Sequence, residues 1–345
     1  MTYKLSRRTF AAGAALAAAL PCPYVARAEE PLHLRCSLDT APSHRRNVSI
    51  ADFLAKLEKA SGGRIRTELF QSGQLFADLN VGKALIQGQV EMAAPGSWVL
   101  TGLIPDADFF NLPALYGQPI EVVHRAIDGP TGALLAREIE QRLKSHVLGP
   151  WLDLGYDNWY SATKPLHSLA DLQGMKIRNP GGAGLSWRTR FFGAIANTTA
   201  WPNVPLALSQ GTFDGLISTD ESVASAKLWE AGVKYSLADH QFVGEYIPMI
   251  SLAFWNKLGP ELQKLTTDLW AENIPTYRAN MAAAQKEARQ MLTAHGVQFT
   301  DPPAQEIAEA RGRMMAHQDE VAKLLNISPR MVKQVMQDIG AVRAG

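Results

Sequence analysis

The sequence predicts an α/β protein built as two lobes, on three observations. Short apolar runs alternate with helical spacing after residue 31, the same order starts again after Pro150, and no repeat of fixed period joins the two stretches. With 345 residues and 46% hydrophobic content the chain is long enough for two cores.

In the first stretch, Leu32–Cys36 reads as a strand and Asp39-Thr40-Ala41-Pro42 turns the chain. Ile50, Phe53, Leu54 and Leu57 fall on one helical face, and Ser61-Gly62-Gly63 ends that helix. Ile65–Phe70 alternates like a strand. A short helix through Leu79, Ala84 and Leu85 stops near Gly88, and Val90–Ala94 reads as a third strand. Such alternation implies a mostly parallel sheet with helices on its faces.

In the second stretch, Met175–Arg178 is a strand, and a glycine-rich turn leads into a helix through Trp187 and Phe191. Phe213–Ile217 is a strand, Ser222–Tyr235 reads as one continuous helix, and Ile247–Trp255 as a long apolar strand. The chain is mainly helical from Glu261 onward. Ser328 caps the last helix, with Pro329 in its first turn.

Ahead of both stretches lies a targeting segment. Lys4, Arg7 and Arg8 precede the apolar Phe10–Leu20, and Ala26-Arg27-Ala28 offers small residues for cleavage. The apolar run is too short for a stable membrane span. Ser6-Arg7-Arg8-Thr9-Phe10 fits a twin-arginine signal. Cleavage after Ala28 removes four basic residues and no acidic one, which takes the formal charge from +1 to −3. The expected location is the periplasm. Of the two cysteines, Cys22 lies in this segment and Cys36 stays alone, so no intrachain disulfide is expected and the core must supply stability.

Charged residues are 19% of the chain with no long run of one sign, which argues against disorder and against a nucleic-acid surface. The eight histidines form no H-E-x-x-H pattern, and C-x-x-C, G-x-S-x-G and Walker sequences are missing. No metal, cofactor or catalytic residue is therefore expected. Gly181-Gly182-Ala183-Gly184 does not complete G-x-G-x-x-G and reads as a tight turn into a helix rather than a nucleotide cradle.

Arg178 ends an apolar strand in Lys176-Ile177-Arg178-Asn179-Pro180. Ligands of open α/β sheets bind beyond the carboxyl ends of strands, and a guanidinium there matches a carboxylate bidentately. The helix that follows could add backbone N–H groups. The residues alone leave this open against a surface arginine or a structural ion pair. Trp98, Trp159 and Trp201 fall near strand-end loops, where a pocket wall and a core position are both readings; spacing favours core.

The chain resembles the solute-binding proteins of tripartite ATP-independent periplasmic (TRAP) transporters, in the dicarboxylate-binding-protein family. The likeness covers nearly all of the sequence after the leader. It rests on Gly63-Arg64-Ile65, Gln71-Ser72-Gly73-Gln74-Leu75, Gln87-Gly88-Gln89-Val90-Glu91-Met92 and Asn111-Leu112-Pro113, in that order. More specific are Leu169-Ala170-Asp171-Leu172-Gln173-Gly174-Met175-Lys176-Ile177-Arg178 and Gln210-Gly211-Thr212-Phe213-Asp214-Gly215.

The resemblance implies a two-lobed periplasmic binding protein fold with a ligand cleft between lobes and a long connecting helix. Its expected boundaries are a signal peptide over 1–28, a first lobe of 29–155 plus 244–283, and a second of 156–243 plus 284–345. It implies that Arg178 binds a ligand carboxylate and that Trp201 packs on the ligand. Ser218 stands where the family commonly has a supporting asparagine, and Asn158 where some members carry a second arginine, which disfavours a ligand that needs two. Ser37, Asp39, Asp78, Ser97 and Trp98 resemble pocket-facing positions.

The implied function is capture of a small organic acid by a monomer that closes on it and delivers it to TRAP membrane subunits. A sensor that passes the acid to a receptor is an alternative. An exported enzyme is another, with Asp39, Asp78 and His44 as the acids and bases it would have to use.

Overall fold

The structure, a computed structural model, describes residues 30–340; the expected signal peptide and its cleavage site lie outside the described residues. The first sheet is built by β1 (Leu32–Ser37), α1 (Arg45–Ala60), β2 (Ile65–Phe70), α2 (Asp78–Ile86), β3 (Met92–Ala93), α3 (Ser97–Leu100), α4 (Ile120–Ile127), α5 (Pro130–Leu143) and β4 (Ser145–Val147). The second contains β5 (Leu152–Ser161), β6 (Lys176–Asn179), α6 (Ala183–Phe191), β7 (Ile195–Thr198), α7 (Val204–Ser209), β8 (Gly215–Ser218), α8 (Asp220–Ser225) and β9 (Tyr235–Tyr246). The chain returns to the first sheet with β10 (Met249–Ser251), then runs through α9 (Leu252–Ala294), which is broken by a kink at Gly259 (φ 68°), β11 (Gln298–Thr300), α10 (Ala304–Met315), α11 (Gln318–Leu324) and α12 (Pro329–Gly340).

Strand orders are β2-β1-β3-β10-β4 and β11-β9-β5-β8-β6-β7. Both sheets are mixed rather than mostly parallel. β10 runs antiparallel to β3 and β4, and β5 runs antiparallel to β8 and β9. The chain passes between sheets after β4, after β9 and along α9, which packs on α1, α8 and β5. This is a mixed α/β two-lobed fold with a long helix shared by both lobes, and both sheets belong to the compact unit Pro31–Gly345.

Three local readings need correction. The helix expected over Ser222–Tyr235 ends at Ser225, because Lys227 turns left-handed (φ 50°) and Gly232 follows at φ 113°. The apolar run Ile247–Trp255 is three residues of strand and then helix: Ser251 stops β10, and its Oγ accepts from Phe254 N at 3.4 Å as the cap of α9. A short apolar run does not tell a buried strand from a buried helix by period. Finally, α12 packs on α4 and α5, beside the first sheet, so the assignment of 284–345 to the second lobe does not hold for the last helix.

Cys36 is fully buried in β1 and free, and burial pushes its thiol well above the ordinary range, so it behaves as a core residue. Ser328 caps α12 as expected, its Oγ accepting from Met331 N at 3.1 Å.

Candidate functional site

Strand ends from both sheets converge on one cavity. The turn after β1 contributes Asp39 and Thr40, α2 contributes Asp78, and α3 contributes Trp98. From the second sheet come Arg178 and Pro180 at the end of β6, Trp201 after β7, Ser218 at the end of β8, Asp157 in β5 and Tyr246 at the end of β9. Ser222 of α8 completes the polar wall.

Six of the nine residues singled out in the sequence, Arg178, Trp201, Ser218, Asp39, Asp78 and Trp98, therefore line this cavity, and three do not. Ser37 ties the end of β1 to the segment before α2, donating to Phe76 O at 3.0 Å and accepting from Phe76 N at 3.1 Å. Ser97 is buried as the first residue of α3. Asn158 lies opposite Ser218 in the β5–β8 register, but its side chain accepts from His240 N and reaches Asp220. Trp159 is core, with Nε1 donating to Asp239 Oδ2 at 2.8 Å.

Arg178 is 2% exposed. Its Nε donates to Thr199 O at 2.9 Å, and its guanidinium lies 5.3 Å from the centre of the Trp201 ring. Among the described residues no carboxylate forms an ion pair with it. Burial pulls its pKa down to about 10, against the more distant attraction of Asp39 and Asp157. It stays protonated at neutral pH as an under-compensated buried charge.

Arg46 is the opposite case, and the sequence reading missed it. It is fully buried on the apolar face of α1 that holds Ile50, Phe53, Leu54 and Leu57. A charge on an amphipathic helix's buried stripe was the signal available. Nη1 pairs with Asp78 Oδ2 and Nη2 with Asp39 Oδ1, both at 2.7 Å. The guanidinium also sits 4.1 Å from the Tyr246 ring centre. Burial opposes its charge, but Asp78, Tyr246 and Asp39 outweigh that and hold its pKa above the ordinary value. Burial, with help from Asp39, pushes Asp78 up to about 7 against the pull of Arg46.

Asp157 was also missed, since nothing in the β5 sequence marks it. It is buried, and no N–H or O–H of the described residues reaches its Oδ2. Burial raises its carboxyl well above the carboxylate range, with Arg178 and Arg188 opposing. Gly244 lets Trp98 and Asp157 close up there, because a Cβ would lie 2.8 Å from Asp157 Oδ2. Between about pH 4 and the raised value, the folded chain holds a proton that the unfolded chain has released, so Asp157 makes stability fall as pH rises. Asp157→Asn removes that dependence. The melting temperature of the variant should gain on wild type between pH 5 and pH 8, and a constant difference across that range would contradict the assignment.

The glycine-rich turn behaves as read: Gly181 and Gly182 take φ 134° and 84°, then α6 begins. Its N-terminus is not open to a ligand as the sequence allowed, since Gly184 N donates to Asp108 Oδ2 at 3.0 Å. The start of α1 meets α8, where Arg45 N donates to Glu221 Oε1 at 2.8 Å. His44 Nδ1 accepts from Arg46 N, so Nε2 carries the proton and faces Glu221 Oε2 at 2.9 Å and Ser222 Oγ at 3.0 Å.

Residues 39–324 match the model of the bacterial extracellular solute-binding proteins of family 7, the DctP family. The chain belongs to this family. The resemblance to TRAP solute-binding proteins thus stands, with solute capture for a transporter as the family's role. The C4-dicarboxylate-binding periplasmic protein DctP of Rhodobacter capsulatus is 27% identical over 325 residues, 92% of this chain and 95% of its own. Two solved structures share the fold. The sugar acid binding protein DctPAm from Advenella mimigardefordensis, in complex with galactonate, superposes with a TM-score of 0.84 at 21% identity, over 90% of this chain and 99% of its own. A TRAP periplasmic solute-binding protein from Desulfovibrio salexigens with bound orotic acid gives 0.83 at 20% identity, with the same coverage. Among the described residues no helix is long and apolar enough to cross a membrane.

Proposed function

We propose that this family member captures a small monocarboxylate that also carries hydroxyl or N–H donors, in the periplasm, and delivers it to the membrane subunits of a TRAP transporter. The observation that carries this reading is the contrast between two buried arginines, Arg178 on the cavity wall and Arg46 behind two of the wall's carboxylates. Arg46 is paired to two carboxylates, whereas Arg178 has a carbonyl oxygen and an aromatic face. A ligand carboxylate supplies the missing counter-charge at Arg178.

The rest of the wall selects the ligand's body. Asp39, Asp78 and Asp157 face the same cavity, so a second ligand carboxylate would meet like charge or a carboxyl group and be rejected. Hydroxyl or N–H donors suit these acceptors, and Trp201 and Trp98 offer ring faces to the carbon skeleton. The galactonate bound by the Advenella protein is a ligand of this kind. Two observations support binding without turnover: the carboxylates an enzyme would use as bases, Asp39 and Asp78, are both held by Arg46, and His44 is engaged with Glu221.

A thermal-shift screen tests the proposal, because a ligand that binds only the folded chain raises the melting temperature. Hydroxylated monocarboxylates should stabilise the protein and succinate should not; succinate as the strongest stabiliser would overturn the proposed selectivity. Trp201→Ala should weaken the best ligand by about 1–3 kcal/mol in folded protein. Unchanged affinity would remove Trp201 from the binding wall. Secreted material should begin at Glu29, and N-terminal sequencing that finds Phe10–Leu20 retained would contradict export by cleavage.

A further inference from the structure

Away from the cavity, the two strands that lead from one sheet to the other carry a second polar cluster. Asp153 of β5 and Glu245 of β9 are partners in the antiparallel register, so their side chains share one face of the sheet. α4 brings His124 to the same place, with Nε2 2.8 Å from Asp153 Oδ1. One nitrogen or oxygen from each of the three residues lies within 4.8 Å of the others. Both carboxylates are buried, and the His124 side chain, 26% exposed, keeps a route to solvent.

Two carboxyl groups directly opposed in a buried sheet need positive charge between them. Arg278 does not supply enough. Its Nε donates to Trp151 O and lies 3.3 Å from Asp153 Oδ1, and both terminal nitrogens are taken by Asp128 at 2.6 and 2.9 Å. No N–H or O–H of the described residues reaches either oxygen of Glu245, which is fully buried and points into the cluster. A buried acceptor left in that state carries its full desolvation cost.

We propose that His124, Asp153 and Glu245 form a binding site for a divalent transition-metal ion of the zinc class. One imidazole nitrogen and two carboxylates, with water in the fourth position, make the four-coordinate set such an ion takes at about 2.0–2.2 Å. Calcium needs about six to eight oxygen ligands, more than this cluster offers. The two carboxylates balance the charge of the ion, and Arg278 remains neutralised by Asp128 beside it. The ion would tie α4 to β5 and β9 close to where the chain passes to β4 and β10, stiffening the junction of the two lobes.

The test uses the mature chain, stripped with chelator and titrated with ZnCl₂ in a calorimeter. One ion per chain should bind, and zinc should raise the melting temperature while calcium and magnesium do not. His124→Ala and Glu245→Gln should each weaken uptake at least about tenfold, since even outer-shell changes cost that much. His124 is partly exposed, so its variant keeps the test valid should Glu245→Gln fail to fold. No uptake by wild type, or equal uptake by wild type and the folded variants, would overturn the site. In the first case Asp153 and Glu245 are a carboxyl pair that shares a proton. None of these readings uses the cavity ligand, so the result stands apart from the proposal for Arg178.

Discussion

Arg178→Ala is expected to weaken binding of the carboxylate ligand by a hundredfold or more. The guanidinium is buried at the end of β6, and burial already pulls its pKa down to about 10. A carboxylate docked there would be as desolvated as the arginine. Removal of the arginine strands that carboxylate without a partner, at a cost of about 3–5 kcal/mol. Arg178→Lys should be nearly as poor. The present side chain uses Nε for Thr199 O and holds its guanidinium 5.3 Å from the centre of the Trp201 ring, and an ammonium has neither that second donor in the right place nor a flat face. Calorimetry on wild type and both variants, with the strongest ligand from the thermal screen, decides it. Equal dissociation constants in three folded proteins would end the proposal, because a solvated arginine contributes under about 1 kcal/mol.

Arg46→Met is expected to destabilise the fold by about 3–5 kcal/mol, the largest stability effect foreseen here. The substitution keeps bulk and removes the only charge that, among the described residues, is paired with Asp39 and Asp78, both nearly inaccessible. It also removes donors to Thr40 Oγ1 and Ala94 O. Adding Asp39→Asn and Asp78→Asn to the Arg46→Met chain should recover part of the loss, because amides carry no uncompensated charge into the core. Thermal unfolding of the three proteins reads this directly. An unchanged melting temperature in Arg46→Met would mean that the pairs are not what holds the turn after β1 against α1 and α2.

How far the site was legible follows from where its parts lie. Arg178 was visible because one local segment carries the whole signal, an apolar strand that ends on an arginine before a turn. Asp39, Asp78 and Trp201 were visible through short family-like segments, again local. Asp157 and Tyr246 were not, since each takes its role from the pairing of β5 with β9, strands joined across some eighty residues of chain. Their sequences mix polar and apolar residues on two buried faces, so no period-2 pattern shows.

By itself, then, the sequence determined the α/β class, the two lobes and an arginine set at a strand end; all depend on residues near one another in the chain. Only the tertiary structure decided which charges are satisfied. It gave Arg46 two carboxylates, from the turn after β1 and the start of α2, and left Arg178 with none among the described residues; it drew Asn158 away from the cavity toward His240 and Asp220, and it set His124, Asp153 and Glu245 side by side. The physical reason is that burial fixes the cost of a charge and neighbours fix its compensation, and both are properties of the folded neighbourhood rather than of the residue.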